Sequence, residues 1–197
     1  MLERSRFDLI KEKYAYWGSW AVWAEEGDTP KSNVGDLSVL DPDVNRHLLS
    51  QLNPNVVLVG LNISIGAIED PFANFHSKRP VAQDYKIRFA VKDTDLWGAY
   101  MTDIIKDYPE KESGKVGSYL RKNRKFREEN IQRFRQELTD IGADKPTLIA
   151  FGKETHSILQ RYFGNEFSVF KVTHYSHYMR KEAYREEILD LLADSHL

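Results

Sequence analysis

The stretch "VVLVGLNIS", Val56–Ser64, decides how this chain is read. Val56–Val59 is a continuous apolar run dominated by β-branched residues, which suits a strand buried on both faces. The Gly-Leu-Asn that follows places an asparagine at the carboxyl end of that strand, where open α/β sheets bind their ligands. Three further segments read as strands: Ala99–Ile105 within "LWGAYMTDIIKDYP", "PTLIAFG" at Pro146–Gly152, and "FSVFKVTHYSH" at Phe167–His177, which runs into a turn.

Helical periodicity fills the intervals. In "REENIQRFRQELTDIG" the residues Ile131, Phe134, Leu138 and Ile141 share one face, and Gly142 stops the helix. "KETHSILQRYF" and "KEAYREEILDLLADS" are helices after the third and fourth strands. Alternating strands and helices predict one domain over residues 1–197, a three-layer α/β/α sandwich with a four-stranded, mainly parallel sheet. Its N-terminal part, about residues 1–50, is an aromatic-rich helical segment. There Phe7, Ile10, Tyr14, Trp17 and Val22 recur at helical spacing over Arg4–Glu26, and Trp17, Trp20 and Trp23 read as cover for a core. "DPDVNRHLLSQL" reads as a short helix with Asp41 as N-cap and Pro42 in its first position. The polar stretch from Ser64 to Asp95, centred on "DPFANFHSKRP", is long enough to carry function or a small extra element.

The bulk numbers bound the function. A chain of 197 residues with 41% hydrophobic and 29% charged content can bury a sizeable core. There is no cysteine, which excludes disulfides and thiolate metal sites and suits a cytoplasmic protein. The charged N-terminus has no apolar stretch resembling a signal peptide, and no apolar run is long enough for a membrane span. A net charge of −2 argues against a general polyanion binder. The run "RKNRKFR", Arg121–Arg127, is the local exception, readable as a solvated helix start or as a phosphate contact.

The polar residues at the carboxyl ends of the strands are Asn62, Ser64, Asp103, Lys106, His174, Ser176 and His177. No Gly-x-Gly-x-x-Gly, no phosphate-binding Gly-x-x-x-x-Gly-Lys-[Ser/Thr] loop and no Gly-x-Ser-x-Gly elbow is present. His174 and His177 are three apart, with His76 and Asp103 within reach of a shared site, but that spacing is weak for a metal. Neither a metal nor a cofactor is expected.

These motifs, in this order, resemble the uracil-DNA glycosylase superfamily. "VVLVGLNIS" resembles its first motif, in the Gly-[Ile/Leu]-Asn-Pro-Gly form of the mismatch-specific thymine/uracil branch. "TDIIKDYP" resembles a Thr-Asn-x-x-Lys-x-x-Pro stretch, "TLIAFGKETHSIL" the strand and Gly-Lys turn, and "THYSHY" the second motif. The resemblance covers about Asn55–Tyr178. It implies a glycosylase-like fold, a monomer, and damaged or mismatched DNA as partner. Asn62 would position the attacking water, and His174 would donate a hydrogen bond to the departing base. Gly60, Phe72, Phe75 and Asp103 would line the base pocket, with a Phe stacking on the base. Ser64, Lys106, Lys153 and Ser176 would contact DNA, and Tyr178 or Met179 would fill the gap left by the flipped base.

Three departures qualify it. Ile63-Ser64 stands where Pro-Gly is expected, Tyr175 stands where the second motif has proline, and Asp103 stands where asparagine reads the base. An ionised aspartate offers acceptors only, which fits two adjacent donors on a guanine-like edge and not the carbonyls of uracil. Two other readings stand beside the glycosylase: a protein that keeps the pocket and only binds nucleobases or nucleic acid, and a hydrolase or transferase acting on a free nucleoside.

Overall fold

The computed structural model describes residues 1–64 and 68–195; of the long polar stretch, residues 65–67 lie outside the described residues. Five strands form one sheet: β1 (Ser19–Trp20), β2 (Asn53–Asn62), β3 (Ala99–Ile105), β4 (Thr147–Phe151) and β5 (Val169–Val172). They lie in the order β1-β3-β2-β4-β5. β2, β3, β4 and β5 are mutually parallel, and β1 pairs antiparallel with β3 at the edge. The four expected strands are thus joined by a fifth, which is only two residues long and carries no alternation pattern of its own.

The helices are α1 (Arg4–Tyr14), α2 (Leu48–Gln51), α3 (Tyr85–Val91), α4 (Ser113–Lys122), α5 (Arg124–Asp140), α6 (Lys153–Phe163) and α7 (Lys181–Ser195). They cover both faces of the sheet. On one, Val57, Val59 and Tyr100 pack with Phe7 and Ile10 of α1, Phe134 of α5 and Leu159 of α6. On the other, Leu58, Met101 and Ile149 pack with Ile87 of α3 and Tyr184 and Ile188 of α7. β2 is buried from Val56 to Leu61, as its unbroken apolar run requires. α5 ends before Gly142, whose φ of +80° takes the chain out of the helix at no side-chain cost.

The N-terminal expectation needs correction. α1 stops at Tyr14, and the tryptophan segment leaves helical geometry to place Trp20 in β1 and Trp23 beneath α3. Helical spacing and a buried, winding segment both put aromatics on the inside, so periodicity alone did not separate them. The helix read at Asp41 is shorter too. Asp41 Oδ1 accepts from the Asp43 backbone N–H at 2.9 Å, a local turn, and regular α-helix begins only at Leu48. The long polar connection contains α3, and the basic run spans the end of α4 and the start of α5.

A buried ion pair ties β3 to α5. Lys106 Nζ lies 2.8 Å from Glu137 Oε2, with both side chains fully buried. Glu137 Oε1 accepts from the hydroxyls of Tyr100 and Thr102, both at 2.8 Å. Lys106 also donates to Thr102 Oγ1 and the Asp103 carbonyl, each at 2.5 Å. Residues 100, 102 and 106 thus point to α5, and Asp103 points to the opposite face. Among the described residues no helix is long and apolar enough to cross a membrane.

Candidate functional site

The connections leave β2 and β4 in opposite directions, the first towards β3 and the second towards β5. That reversal opens the crevice in which α/β sheets take ligands, beyond the carboxyl ends of the two central strands.

The floor is set by Gly60 of β2 beside Asp103 of β3, partners in the parallel ladder. A Cβ at position 60 would sit 2.1 Å from Asp103 Oδ1, so only glycine lets the carboxylate approach this closely; the Phe75 ring would stay in ordinary contact at 3.4 Å. Asp103 is buried, and loss of solvation raises its carboxyl to about 6. Its carboxylate meets not Lys106 but Asn74, whose Nδ2 donates to Oδ2 at 2.9 Å. The second hydrogen of that amide goes to the Trp17 carbonyl at 2.7 Å. Both Asn74 donors are therefore engaged within the protein, and the floor presents acceptors.

Asn62 stands two residues further along β2, half-buried at the strand end. Its Nδ2 donates to the carbonyls of Tyr108 and Glu110, both at 2.8 Å. The amide plane is fixed by these two bonds, and Oδ1 remains as an acceptor. Asn62 thus braces the loop after β3 in addition to anything it does to a ligand.

The wall comes from the connection after β2, held in place by the tryptophan segment. The Phe72 N–H donates to the Ala15 carbonyl at 2.6 Å, and Ser19 Oγ donates to the Phe72 carbonyl at 2.7 Å. His76 Nε2 lies 3.2 Å from the Trp20 carbonyl, and its ring lies against Trp23. Burial pushes His76 down to about 4, which keeps it neutral in this structural position. Strapped in this way, Phe72 and Phe75 both adopt the left-handed region, with φ of +62° and +64°. Bulky residues rarely do so, and such conformations persist where the surroundings impose them.

The two phenylalanines separate in role. Phe75 faces the floor, 6.1 Å from the Phe151 ring centroid and 6.2 Å from that of Tyr175. Phe72 instead packs on Phe7 of α1 at 5.5 Å, inside the core. The expectation that Phe72 lines the pocket is corrected: its backbone is bonded to Ala15 and Ser19, and its ring packs on Phe7 in the core.

Opposite Phe75 stands the turn after β5. The Ser176 backbone N–H reaches His174 Nδ1 at 3.2 Å, and Ser176 Oγ lies 2.8 Å from the same nitrogen. A backbone N–H can only donate, so Nδ1 is an acceptor and the neutral ring carries its proton on Nε2. Burial lowers His174 to about 4, so the ring is neutral near pH 7. Its ring stacks on Tyr175 at 4.5 Å and 22°. Tyr175, in the place where proline is expected, lies 5.3 Å from Phe151 and completes an aromatic wall.

Of the other expected contacts, Ser64, Lys153, Ser176 and Tyr178 are exposed along this edge, Tyr178 fully so. Ser176 also orients His174. Lys106 is corrected: an ammonium enclosed by Glu137, Thr102 and the Asp103 carbonyl has no open side for DNA. His76 and His177 do not join His174, and among the described residues no three His, Asp or Glu side chains converge as metal ligands. Sequence reasoning passed over Asn74 and Asp84. Asp84 is buried, takes the Ser77 N–H at 2.6 Å and is raised to about 6 by burial. Both lie in the polar stretch flagged by its length, but nothing in their spacing singles them out.

The chain matches no family model, no curated protein and no solved structure.

Proposed function

We propose that this protein is a DNA-base glycosylase that hydrolyses the N-glycosidic bond of a damaged or mismatched base, and that its pocket is built for a base other than uracil. The observation that carries the reading is a set of three fixed groups near the carboxyl ends of the parallel strands β2, β3 and β5: the Asn62 Oδ1 acceptor, the Asp103 carboxylate and the neutral His174 with its proton on Nε2.

The chemistry follows from these groups. An extruded base enters beside Phe75 once Tyr175, whose ring touches Phe75, swings aside. As the bond from sugar C1′ to the base nitrogen breaks, its electron pair leaves with the base. Nε2–H of His174 donates a hydrogen bond to the developing negative charge without delivering a net positive one. Water, oriented by Asn62 Oδ1, adds to C1′, and its proton passes to solvent. An amide takes no proton at neutral pH, so the water is positioned and not activated, and turnover is slow.

The floor supports the choice of base. Uracil needs a donor for its carbonyl, and the nearest amide has both donors engaged, on Asp103 Oδ2 and the Trp17 carbonyl. Acceptors alone suit a ring N–H beside an exocyclic amine, the guanine-type edge. A buried carbonyl left without a donor costs about 1–3 kcal/mol, which weakens uracil binding roughly tenfold or more.

A second reading, a binding protein without catalysis, is favoured by Tyr175. Its ring packs against Phe75 and Phe151 and narrows the crevice beyond what a proline would. A base-release assay on oligonucleotides carrying uracil, hypoxanthine, xanthine, oxidised guanine or a thymine mismatch separates the two. Release of a purine-type base, lost in Asn62→Ala and His174→Ala, supports the glycosylase; release of none, from folded protein, leaves the binding protein.

A further inference from the structure

The basic run Arg121–Arg127 lies at the junction of α4 and α5. The Asn130 carboxamide accepts from the Lys106 backbone N–H at 3.1 Å, so Asn130 is level with the carboxyl end of β3. Glu137, two turns later, is level with Tyr100 and Thr102 in mid-strand. α5 therefore runs antiparallel to the strands. At 1.5 Å per residue its start, Arg124, stands about 9 Å beyond the carboxyl end of β3. The junction projects past the same edge of the sheet that carries Asn62.

A stack of aromatics links the two. Tyr108, whose carbonyl is held by Asn62, lies face to face with Tyr119 of α4 at 4.2 Å and 15°. Phe126 of α5 meets Tyr119 edge-on at 5.4 Å. All three rings are half-buried, so each keeps an open edge. Arg121, Lys122 and Arg124 are exposed around them, and among the described residues none has a carboxylate within 4 Å. Arg127 is different, being engaged by Glu128 and the Leu120 carbonyl. Lys125 has only Glu129 at 3.8 Å. In a chain of net charge −2, these unmatched cations make a local positive ridge.

We infer that the α4–α5 junction is a binding surface for the phosphate backbone of a DNA strand, with Arg121, Lys122 and Arg124 as phosphate contacts and the Tyr108–Tyr119–Phe126 stack as its fixed link to the crevice at Asn62. It rests on the proposed function for the identity of the nucleic acid. Three exposed cations, with no carboxylate within 4 Å among the described residues, complement a polyanion.

The test is the salt dependence of binding to a labelled oligothymidylate. The triple variant Arg121→Gln/Lys122→Gln/Arg124→Gln is compared with Lys11→Gln/Arg46→Gln/Lys171→Gln, which removes the same charge elsewhere. Glutamine keeps helix propensity near that of the residues replaced. Loss of three contacts to a single strand lowers the log–log salt slope by about 2 and weakens binding at least tenfold near 0.1 M salt. The control variant binds as the wild type does. Each single glutamine variant loses about a third of that slope change, which keeps the test informative if the triple variant misfolds. A triple variant that binds like wild type, a control that loses as much, or a wild type that binds no DNA overturns the surface. Base release is read separately. Release without this salt signature removes the surface and leaves the glycosylase; the signature without release removes the glycosylase and leaves the surface.

Discussion

Gly60 and Asp103 face each other across the β2–β3 ladder so closely that a methyl group on the first would lie 2.1 Å from the carboxylate of the second. Gly60→Ala must therefore push Asp103 out of the floor or open the ladder. The substitution is expected to lower stability by about 1–3 kcal/mol, the range for overpacking a filled site. Denaturant melts check it, and a full return of stability in Gly60→Ala/Asp103→Ala would identify the carboxylate as what the methyl group meets.

Asp103 also predicts a pH dependence with a defined sign. Its carboxyl is raised from 3.8 to about 6 by burial, so the folded chain holds this proton more tightly than the unfolded one. Its contribution to stability falls as pH rises from about 4 to about 6 and stays low above that. His76 and His174, lowered to about 4, act in the opposite sense over nearly the same window, so the wild-type profile masks the effect. The difference between Asp103→Asn and wild type isolates it. Asp103→Asn should gain up to about 3 kcal/mol above pH 6, shrinking towards nothing near pH 4. Melting temperatures across that range are the measurement.

Lys106 gives a prediction of opposite kind. Lys106→Met removes the charge but leaves Glu137 buried without its cation, which costs about 3–5 kcal/mol. Lys106→Met/Glu137→Gln should recover much of the loss. A DNA-contacting lysine would instead show weakened binding with unchanged stability.

The central strands were legible because burial on both faces leaves short, β-branched apolar runs bounded by turn residues, too short for a typical helix. Val56–Val59 and Leu148–Phe151 are such runs, and the elements there match the reading. β1 was not legible, since Ser19–Trp20 is held by pairing with Tyr100 and Met101, a partner far along the chain. The same applies to the site. Asn62, Asp103 and His174 could be picked out as candidates from their places near strand ends, whereas Asn74 meets Asp103 only where residues 15–20 hold the long connection, and Asp84 bonds Ser77 through a spacing that marks nothing. Phe72 and Phe75 look alike in "PFANF" and share a positive φ, yet one packs on Phe7 and the other faces Phe151, a difference made by contacts far along the chain.

Asn62 carries two roles that one substitution separates. Asn62→Asp introduces a better base in principle, but a carboxylate cannot donate to the Tyr108 and Glu110 carbonyls. The loop after β3 should loosen, with faster amide exchange over residues 106–110 and a loss of about 1–3 kcal/mol. Unchanged exchange there would mean that the amide does not brace the loop.

The reaction itself is tested most directly by single-turnover base release from oligonucleotides carrying xanthine, oxidised guanine or uracil, for wild type and Asp103→Asn. The account predicts slow release of oxidised guanine, whose ring N–H lies beside an exocyclic amine, ahead of xanthine and uracil, which lack that amine, and a shift of preference towards uracil when asparagine restores a donor at position 103. Efficient removal of uracil by the wild type, or a preference that Asp103→Asn leaves unmoved, would contradict it.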